Sequence, residues 1–510
     1  MLFKENAAEP REYQKAIAET ASRKNTLVVL PTGMGKTLIA VLVGVGRLEK
    51  YPESKILITA PTRPLNAQHK KSFEQFTAID PEEIILITGK ILPEEREQFY
   101  KKAKVVVATP QTIKNDLAKG RLNLEDFSFV TFDEAHRCVK DYAYNYVAKK
   151  YKEQAAHPLI LGLTASPGGT YEKIDEIRKN LFIEAVEVRT EIDKDVESYV
   201  KPIMREEVYI DFPEDFQMIK GLLEGCLKED IYWLKEHHFI PTYKPSKKML
   251  LLLQKRIGSR YMEGTKNYSL FWVMIRLAEA VKLEHAIELL ETQGIYSLCD
   301  YLKKLGSSKK RTDKKLMNNS RIMEVVKITE ELQKQGVEHP KLVKLQELVT
   351  MLIKEKPDVK IIIFANYRST VDKINQLLLN MGIKSEILVG QATKEKKGLT
   401  QQEQIDVLKR FSEKKFNVLI GTSVSEEGLD VPAVDYAIFH EPVPSEIRSI
   451  QRRGRVGRQA AGKIIFLITK NTRDEAYYWS AFHKERKMKG ILNDMKEKMN
   501  KKKTIKDWIG

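Results

Sequence analysis

The stretch that decides the fold is TLVVLPTGMGKTLIAVLVGV, residues 26–45. It opens on a short run of Thr, Leu and Val, and such a run is typical of a buried parallel strand. Glycines at positions 33 and 35 allow the backbone to curl, and the apolar residues after Lys36 predict a helix. A strand, a curl and a helix in this order point several backbone N–H groups at one place, where they favour a phosphate.

Residues 30–37, Leu-Pro-Thr-Gly-Met-Gly-Lys-Thr, are therefore a candidate nucleotide-binding loop. The Lys36 ammonium suits the β- and γ-phosphates of ATP, and the Thr37 hydroxyl suits Mg²⁺. Leu30 stands where the usual P-loop pattern has glycine, so only the GxGK[ST] core is met. The alternative is a strand–helix turn that merely tolerates glycine. We predict ATP and Mg²⁺ as cofactors, bound by Leu30, Pro31, Thr32, Gly33, Met34, Gly35, Lys36 and Thr37.

Apolar runs alternate with helical patterns through the first 190 residues and again at 360–470. After TLVVLP (26–31), the strands predicted in the first region are KILITAP (55–61), IILITG (84–89), KVVVATP (104–110), FVTFDEAH (129–136) and LILGLTASP (159–167). Those of the second region are VKIIIFANY (359–367), KSEILVG (384–390), FNVLIGTS (416–423), VDYAIFHEP (434–442) and KIIFLIT (463–469). Because parallel strands need right-handed helical crossovers, we predict two α/β domains with doubly wound sheets.

The stretch at 205–335 differs from both regions, because Leu, Lys, Glu and Met recur in it at helical spacing. We predict an α/β fold in which an all-helical domain is inserted between two RecA-like parallel-sheet domains. Within the insert, Phe271 and Trp272 are predicted core residues and 306–320 is a predicted mobile loop. The predicted domains are 1–200, 201–338 and 339–490, followed by a frayed basic helical tail at 491–510.

Two further groups of residues have the chemistry that ATP hydrolysis needs. Asp133-Glu134-Ala135-His136 ends a predicted strand, so Asp133 is placed to bind Mg²⁺ and Glu134 to act as general base. In QRRGRVGR (451–458), Arg455 and Arg458 can reach one phosphate, where a positioned arginine raises the rate by roughly 10³–10⁵. Alone, these groups fit a solvated acidic turn and a polyanion-binding patch. The predicted catalytic residues are Lys36, Asp133, Glu134, Gln451, Arg455 and Arg458.

The composition points to a soluble protein with a polyanionic partner. The net charge is +17, and nucleic acid is the usual partner of such a chain. Cys138, Cys226 and Cys299 are too few and too scattered for a disulfide framework or a zinc site. Because no signal peptide and no apolar run of membrane-spanning length occurs, we expect a cytoplasmic protein without membrane contact.

Together the motifs resemble those of superfamily 2 helicases of the DEAH/DExH type, in the expected order. PREYQ (10–14) resembles the motif whose glutamine reads adenine, and TAS (164–166) the segment that couples hydrolysis to strand movement. APTRPL (60–65), TG (88–89) and ATP (108–110) resemble strand-tracking loops, and FANYR (364–368) and GTSVSEEGLD (421–430) match motifs of the second domain.

This resemblance implies roles for further residues. Those implied to approach the nucleotide are Arg11, Gln14, Gly428 and Asp430. Those implied to couple hydrolysis to movement are His136, Thr164 and Ser166. Those implied to bind nucleic acid are Thr62, Arg63, Gly89, Thr109, Asn366 and Thr422.

LPTGMGKT, FDEAHR, LTASPG, SVSEEGLDVP and EPVPSEIRSIQRRGRVGR are most similar to the family of the archaeal Hef helicase and the Fanconi anaemia group M protein. That family implies a helical insert that grips branched DNA, and 3′ to 5′ movement on forks or four-way junctions. ERK at 485–487 is similar to the start of the Hef nuclease motif ERKxxxD, but position 491 is Ile, so nuclease activity is not predicted. We expect a monomer that acts on forked or four-way branched DNA, with a nuclease or a replication clamp as a separate partner.

Two other functions stay open. Cousins with the same motifs act on double-stranded RNA, so an RNA-dependent ATPase is one alternative. The other is a non-catalytic nucleic-acid-binding scaffold, against which the intact catalytic residues argue. Basic residues of the insert are a candidate second contact surface, with a solvated helix face as the alternative for each: Lys247, Lys248, Lys255, Arg256, Lys309, Lys310 and Arg311.

Overall fold

The computed structural model describes residues 2–4, 7–89, 91–190, 193–199, 204–262, 268–390, 398–422, 432–443 and 462–506. These ranges form two parallel sheets with helices on their faces and a helical bundle between the sheets along the chain. The predicted fold class is therefore confirmed.

The first sheet has seven parallel strands in the order β3-β4-β2-β5-β6-β1-β7. Its strands are β1 Thr26–Val29, β2 Lys55–Thr59, β3 Ile84–Ile87, β4 Val105–Ala108, β5 Phe127–Asp133, β6 Ile160–Thr164 and β7 Ala185–Val188. Its helices are α1 Glu12–Arg23, α2 Lys36–Lys50, α3 Arg63–Phe76, α4 Pro93–Lys102, α5 Pro110–Ala118, α6 Ala143–Gln154, α7 Tyr171–Asn180 and α8 Lys194–Glu197. All six predicted strands occur. The seventh, β7, lies at the edge and alternates buried with half-buried residues, so it lacks the continuous apolar run of the others.

The second sheet has six parallel strands in the order β10-β11-β9-β12-β13-β8. Its strands are β8 Met204–Ile210, β9 Ile361–Phe364, β10 Ser385–Leu388, β11 Val418–Gly421, β12 Tyr436–Phe439 and β13 Lys463–Thr469. Its described helices are α15 Pro340–Glu355, α16 Arg368–Asn380 and α17 Gln401–Ser412.

Strand β8 corrects the predicted start of the helical insert at residue 201. It pairs with β13 along its whole length, from Met204 opposite Lys463 to Ile210 opposite Thr469. As an edge strand it is largely exposed and carries an Arg and two Glu, so its sequence lacks the apolar run that marks the other strands.

The helices between β8 and β9 that form the bundle are α9 Glu214–Glu236, α10 Lys247–Met262, α11 Tyr268–Gln293, α12 Ile295–Gly306, α13 Arg311–Met317 and α14 Ser320–Lys334. One core joins α9, α11, α12 and α14, and a smaller one joins α9, α10 and α11. The mobile loop predicted at 306–320 is wrong, because helix α13 buries Leu316 and pairs Asp313 with Lys282. Trp272 was wrongly predicted as core: 37% of it is exposed, on the outer side of α11.

Helix α18, Arg473–Lys506, joins the second α/β domain to the first. Near its start, the Tyr478 ring packs 5.1 Å from that of Phe466 on β13. Further along, Met488, Leu492 and Met495 are at most 5% exposed and complete the core beside β7. The frayed tail predicted from 491 is therefore wrong up to Met495, because these apolar residues recur at helical spacing within a lysine-rich sequence.

Candidate functional site

The phosphate loop lies between β1 and α2, at the carboxyl edge of the first sheet. Gly33 and Gly35 have φ values of 88° and 72°, in the left-handed region that glycine adopts without strain. Lys36 Nζ donates to the carbonyl oxygens of Leu30 at 2.9 Å and Pro31 at 3.4 Å, so the ammonium lies inside the curl. Leu30 is fully buried in the core under the loop, which explains how leucine can replace glycine at this position.

Gln14, at the start of α1, touches this loop. Its Nε2 lies 3.3 Å from the Met34 carbonyl oxygen, and Tyr13 donates to the same oxygen at 2.8 Å. A Cβ on Gly35 would lie 2.3 Å from that Nε2, so the contact requires glycine. Arg11 donates its backbone N–H to Gln14 Oε1 at 2.9 Å, and its guanidinium lies 5.0 Å from the Tyr199 ring centre. Tyr199 was not predicted to lie here, because it is far from this motif along the chain.

The predicted carboxylates lie at the end of β5. The backbone of Glu134 adopts the left-handed conformation, with a φ of 52°, which is unusual for a residue other than glycine. Asp133 Oδ1 accepts from the Glu134 N–H at 2.9 Å, and Asp133 Oδ2 lies 2.8 Å from His69 Nε2. Burial raises the pKa of Asp133, but the His69 hydrogen bond and the His69 and Lys36 charges outweigh it, so the pKa is lowered. Asp133 therefore stays ionised beside the phosphate loop.

His69 is a site residue that the sequence analysis missed. It lies on α3 and is 2% exposed, on the same buried helix face as Asn66 and Phe73. Two polar residues on a buried helix face are unusual, because burying a polar group without a partner costs free energy. Asn66 bonds the Ala60 backbone in both directions, at 3.1 and 2.8 Å, and His69 bonds Asp133. Polar residues at i and i+3 on an otherwise apolar face are the sequence signal for both.

The predicted coupling residues form a chain of contacts that starts at Glu134. His136 Nδ1 lies 3.2 Å from Glu134 Oε2, a contact without hydrogen-bond geometry, and 3.2 Å from Thr164 Oγ1. Thr164 Oγ1 donates to the Ser166 carbonyl and accepts from the Ser166 N–H, both at 3.1 Å. Ser166 Oγ donates to Met488 Sδ on α18 at 3.0 Å. The contacts run from the carboxylate to the helix that reaches the second domain.

The residues of the first domain that are predicted to bind nucleic acid follow β-strands β2, β3 and β4, which are neighbours in the sheet. Thr62 caps α3 by accepting from the Leu65 N–H at 3.5 Å. A Cβ on Gly89 would lie 3.5 Å from the Arg63 guanidinium, so these two loops are adjacent. Thr109 Oγ1 lies 2.9 Å from Thr112 Oγ1 at the start of α5. In a parallel sheet these loops share the carboxyl edge with the phosphate loop and Asp133.

In the second domain, Asn366 and Thr422 follow the neighbouring strands β9 and β11. The Asn366 N–H donates to the Glu441 carboxylate, and the Thr422 N–H donates to the Leu388 carbonyl at 3.4 Å. Both residues therefore lie at the carboxyl edge of the second sheet. The other predicted site residues of this domain lie outside the described residues and stay predictions: Gly428, Asp430, Gln451, Arg455 and Arg458.

The side-chain oxygens beside the phosphate loop fit a Mg²⁺ ion that takes most of its ligands from ATP and water. Thr37 begins α2 beside Lys36, and the Asp133 and Glu134 carboxylates end β5. Among the described ranges, no group of three or more His, Cys, Asp or Glu side chains could hold a metal by itself. Mg²⁺ normally uses one or two protein oxygens and takes its other ligands from phosphate and water, and this donor set matches that pattern. No helix among the described residues has the length and apolarity needed to cross a membrane.

Family models match most of the chain. A DEAD/DEAH box helicase model matches residues 11–174, and a helicase conserved C-terminal domain model matches residues 341–460. A helical-bundle model described for ATP-dependent RNA helicases matches residues 215–336. The three matched regions correspond to the first sheet, the second sheet and the bundle.

Individual relatives match over nearly the whole chain. A Methanocaldococcus jannaschii protein named as an ATP-dependent RNA helicase is 46% identical over 98% of this chain, and the Neurospora crassa ATP-dependent DNA helicase mph1 is 30% identical over 93%. This chain spans 63% of the first protein's length and 42% of the second's.

Among solved structures, the Pyrococcus furiosus Hef helicase domain is 45% identical, with a TM-score of 0.76. The match covers 94% of this chain and 100% of that one. Identity at this level over a whole helicase domain, with a TM-score of 0.76, establishes common ancestry as well as a common fold. The chain therefore belongs to the ATP-hydrolysing superfamily 2 helicases, in the family of Hef and the Fanconi anaemia group M protein.

Proposed function

We propose that the chain is an ATP-dependent DNA helicase or translocase that acts on branched DNA such as forks and four-way junctions, in repair or in the restart of stalled replication. The observation that carries the proposal is the 45% identity to the Hef helicase domain, which extends through the helical bundle and beyond the two motor domains. The names of relatives such as the Neurospora DNA helicase also support DNA as the substrate.

The proposed chemistry divides between the two motor domains. Lys36 and the loop N–H groups bind the ATP phosphates, while Asp133 and Thr37 provide oxygen ligands for Mg²⁺, which would neutralise phosphate charge. Glu134 accepts a proton from the attacking water as general base. Arg455 and Arg458 of the second domain are predicted to complete the site when the domains close around ATP. The contacts from His136 to Ser166 give hydrolysis a route to the rest of the molecule.

The substrate strand is proposed to lie along the carboxyl edges of both sheets. Thr62, Arg63, Gly89 and Thr109 of the first domain and Asn366 and Thr422 of the second would bind its phosphates. Such binding predicts an affinity that falls steeply with salt and depends little on base sequence. Opening and closing of the cleft would then move one domain along the strand, with 3′ to 5′ as the expected direction.

The test is a steady-state ATPase assay with single-stranded, duplex, forked and four-way junction DNA and with duplex RNA. We expect forked or junction DNA to stimulate turnover most. Lys36→Ala should abolish turnover by weakening nucleotide binding, whereas Glu134→Gln should keep binding and lower turnover by about 10²–10⁴-fold.

The second candidate is an RNA-dependent ATPase, which the name of the Methanocaldococcus relative and the description of the helical-bundle model favour. Stronger stimulation by duplex RNA than by any DNA would select it. The absence of any ATP turnover stimulated by nucleic acid would instead favour the non-catalytic scaffold.

A further inference from the structure

Tyr144, in the first turn of α6, is a fully buried residue to which the proposed chemistry gives no role. Its ring packs edge-on against Phe132 on β5, with the two ring centres 5.0 Å apart. Phe132 directly precedes Asp133, so the Tyr144 hydroxyl lies at the end of the strand that carries the predicted carboxylates. A buried hydroxyl without a hydrogen-bond partner costs free energy, so the partners of this one show what holds it here.

The hydroxyl of Tyr144 joins the ends of two neighbouring strands. It donates to the Asp133 carbonyl oxygen at 2.6 Å and lies 3.3 Å from the Thr59 carbonyl oxygen. Thr59 ends β2 and Asp133 ends β5, and these two strands pair in the sheet. Because the hydroxyl has one proton, the shorter contact, to Asp133, is the main hydrogen bond. Burial raises the pKa of Tyr144, and the nearby Asp133 charge adds to this, so the oxygen keeps the proton that it donates.

The peptide group between Asp133 and Glu134 is thereby held at both of its polar atoms. Its carbonyl oxygen accepts from Tyr144, and its N–H donates to Asp133 Oδ1 at 2.9 Å. The next backbone angle is the φ of 52° at Glu134, in a left-handed conformation that persists only where the surroundings hold it. The direction of the Glu134 side chain follows from this backbone. The Tyr144 hydroxyl can therefore act on Glu134 through the peptide group.

The position of the Glu134 carboxylate matters because a general base has to lie within hydrogen-bond reach of the attacking water. As the water oxygen bonds to the γ-phosphorus of ATP, the bond from this phosphorus to the bridging oxygen of ADP breaks. The water proton passes to the Glu134 carboxylate in the same reaction. Misplacement of a reacting group by about 1 Å can lower a rate by about 10²-fold. Rotation of the Asp133–Glu134 peptide would displace the carboxylate in this way.

We propose that Tyr144 is a positioning residue for ATP hydrolysis, whose hydroxyl fixes the Asp133–Glu134 peptide and so directs the Glu134 carboxylate toward the attacking water. His69 holds the neighbouring carboxylate, at Asp133 Oδ2. Tyr144 thus serves the proton transfer, whereas His69 serves the Mg²⁺ ligand. This inference rests on the proposed function, in which Glu134 is the general base, and extends it to a residue outside the predicted site.

The main test is Tyr144→Phe, which removes the hydroxyl and keeps the ring. With the nucleic acid that stimulates the wild type most, we expect kcat for ATP to fall about tenfold, because the general base is misplaced. The affinity for adenylyl imidodiphosphate, a non-hydrolysable ATP analogue, with Mg²⁺ should stay within about twofold of the wild type, because Lys36 and the Asp133 carboxylate keep their contacts. A loss of analogue affinity that accounts for the whole fall in turnover would contradict a positioning role.

The matched control is Tyr151→Phe on the same helix. Tyr151 is also fully buried, and its hydroxyl accepts from the Leu159 N–H at 3.0 Å and lies 3.5 Å from the Leu159 carbonyl oxygen. Leu159 directly precedes β6, at the edge of the sheet opposite to the phosphate loop. This variant loses a buried hydrogen bond without reaching the Asp133–Glu134 peptide. Both variants should unfold at similar temperatures, but only Tyr144→Phe should lower kcat. An equal fall of kcat in both would contradict the inference.

A double variant tests whether Tyr144 acts through Glu134. Glu134→Gln and Tyr144→Phe/Glu134→Gln are compared in single-turnover hydrolysis of ATP. Where the general base is already absent, loss of the hydroxyl that directs it should cost little, so the two rates should agree. A further loss of about tenfold in the double variant would show that Tyr144 acts independently of Glu134, and would overturn the inference.

The same variants separate this inference from the proposed function. If Glu134→Gln alone keeps the wild-type turnover, Glu134 is not the general base, and the proposed chemistry fails together with the inference. If Glu134→Gln lowers turnover as expected while Tyr144→Phe keeps the wild-type kcat, the inference alone fails.

Discussion

Asp133 and Glu288 are two carboxylates with lowered pKa values in very different surroundings. Asp133 is buried, and its partners His69 and Lys36 belong to its own domain. Glu288 lies where the bundle, the second domain and α18 meet, and its partners come from all three: Lys247, His285, Tyr367 and Arg473.

The causes of the two shifts show what each centre does. The His285 hydrogen bond, with those from Lys247 and Tyr367, lowers the pKa of Glu288 to about 2, although burial acts in the opposite direction. At Asp133 burial is the largest single influence and raises the pKa, and the His69 and Lys36 partners together reverse it. A carboxylate held inside one domain keeps its orientation for chemistry. A carboxylate shared between units fixes the position of those units relative to one another.

His69→Ala should have the largest effect on ATP turnover. It disrupts the first centre, which consists of Asp133 and its partners His69 and Lys36. Without its partner, the Asp133 carboxylate can rotate, and loss of such an outer partner typically costs about 10–100-fold in metal affinity or activity. We expect kcat for ATP to fall within that range and the Mg²⁺ concentration for half-maximal rate to rise.

Two variants control this experiment. His69→Gln keeps a donor near Asp133 and should recover part of the rate. His285→Ala removes a histidine from the Glu288 centre and should leave the Mg²⁺ requirement unchanged. An equal rise of the Mg²⁺ concentration for half-maximal rate in His69→Ala and His285→Ala would contradict the distinction between the two centres.

Glu288→Gln should have a smaller effect and should break the second centre. The pKa of Glu288 is about 2 against an ordinary 4.5, so the ionised carboxylate stabilises the fold above about pH 4.5. This stabilisation is lost as the pH falls through about 2. We expect the variant to be about 1–2 kcal/mol less stable than the wild type at pH 7, since solvent screens a partly exposed group.

The measurement is denaturant unfolding of both proteins between pH 7 and pH 2.5. The gap between the two unfolding free energies should narrow below about pH 4.5, because Glu288 of the unfolded wild type then takes up a proton that the folded state, with a pKa of about 2, does not. A gap of constant size over this range would show that ionisation of Glu288 contributes nothing.

The residues of the first centre show what a sequence reveals. Asp133 and Thr164 are the last residues of strands that are recognisable as apolar runs, and Lys36 follows such a strand after the phosphate loop. Parallel strands bring these ends together. His69 reaches the same place from the face of a helix, 64 residues from Asp133 along the chain. The spacing of Asn66 and His69 indicates that both are buried, but it does not identify Asp133 as the partner of His69. Leu30 appeared to weaken the phosphate loop, yet its side chain only fills the core beneath it.

The second centre was not predictable in the same way. Its residues are ordinary charged or polar side chains, and the packing of α10, α11, α18 and the start of α16 brings them together. The predictions for strand β8 and for the end of α18 were wrong for a related reason. An edge strand with exposed charges lacks an apolar run, and Met488, Leu492 and Met495 are isolated among lysines.

The smallest expected effect concerns Gly490, in the middle of α18. It is exposed, and a Cβ there would meet nothing within 4 Å, so packing does not require glycine. Gly490→Ala should stabilise the helix by roughly 0.5–1 kcal/mol. If bending at this glycine matters for closure, DNA-stimulated turnover should fall while unfolding temperature rises. A rise in both the turnover and the unfolding temperature would show that the helix does not need to bend at Gly490.

Helix α18 also gives the chain the connectivity of a closed ring. The polypeptide leaves the first domain, passes through the bundle and the second domain, and returns to the first with Met488, Leu492 and Met495. Each motor domain is thus fastened to the other by two separate routes. A single proteolytic cut between the domains, for example in the 237–246 segment between α9 and α10, would leave a nicked protein that stays in one piece. The swing of the domains during turnover is limited in the same way, since neither can move farther than both routes allow.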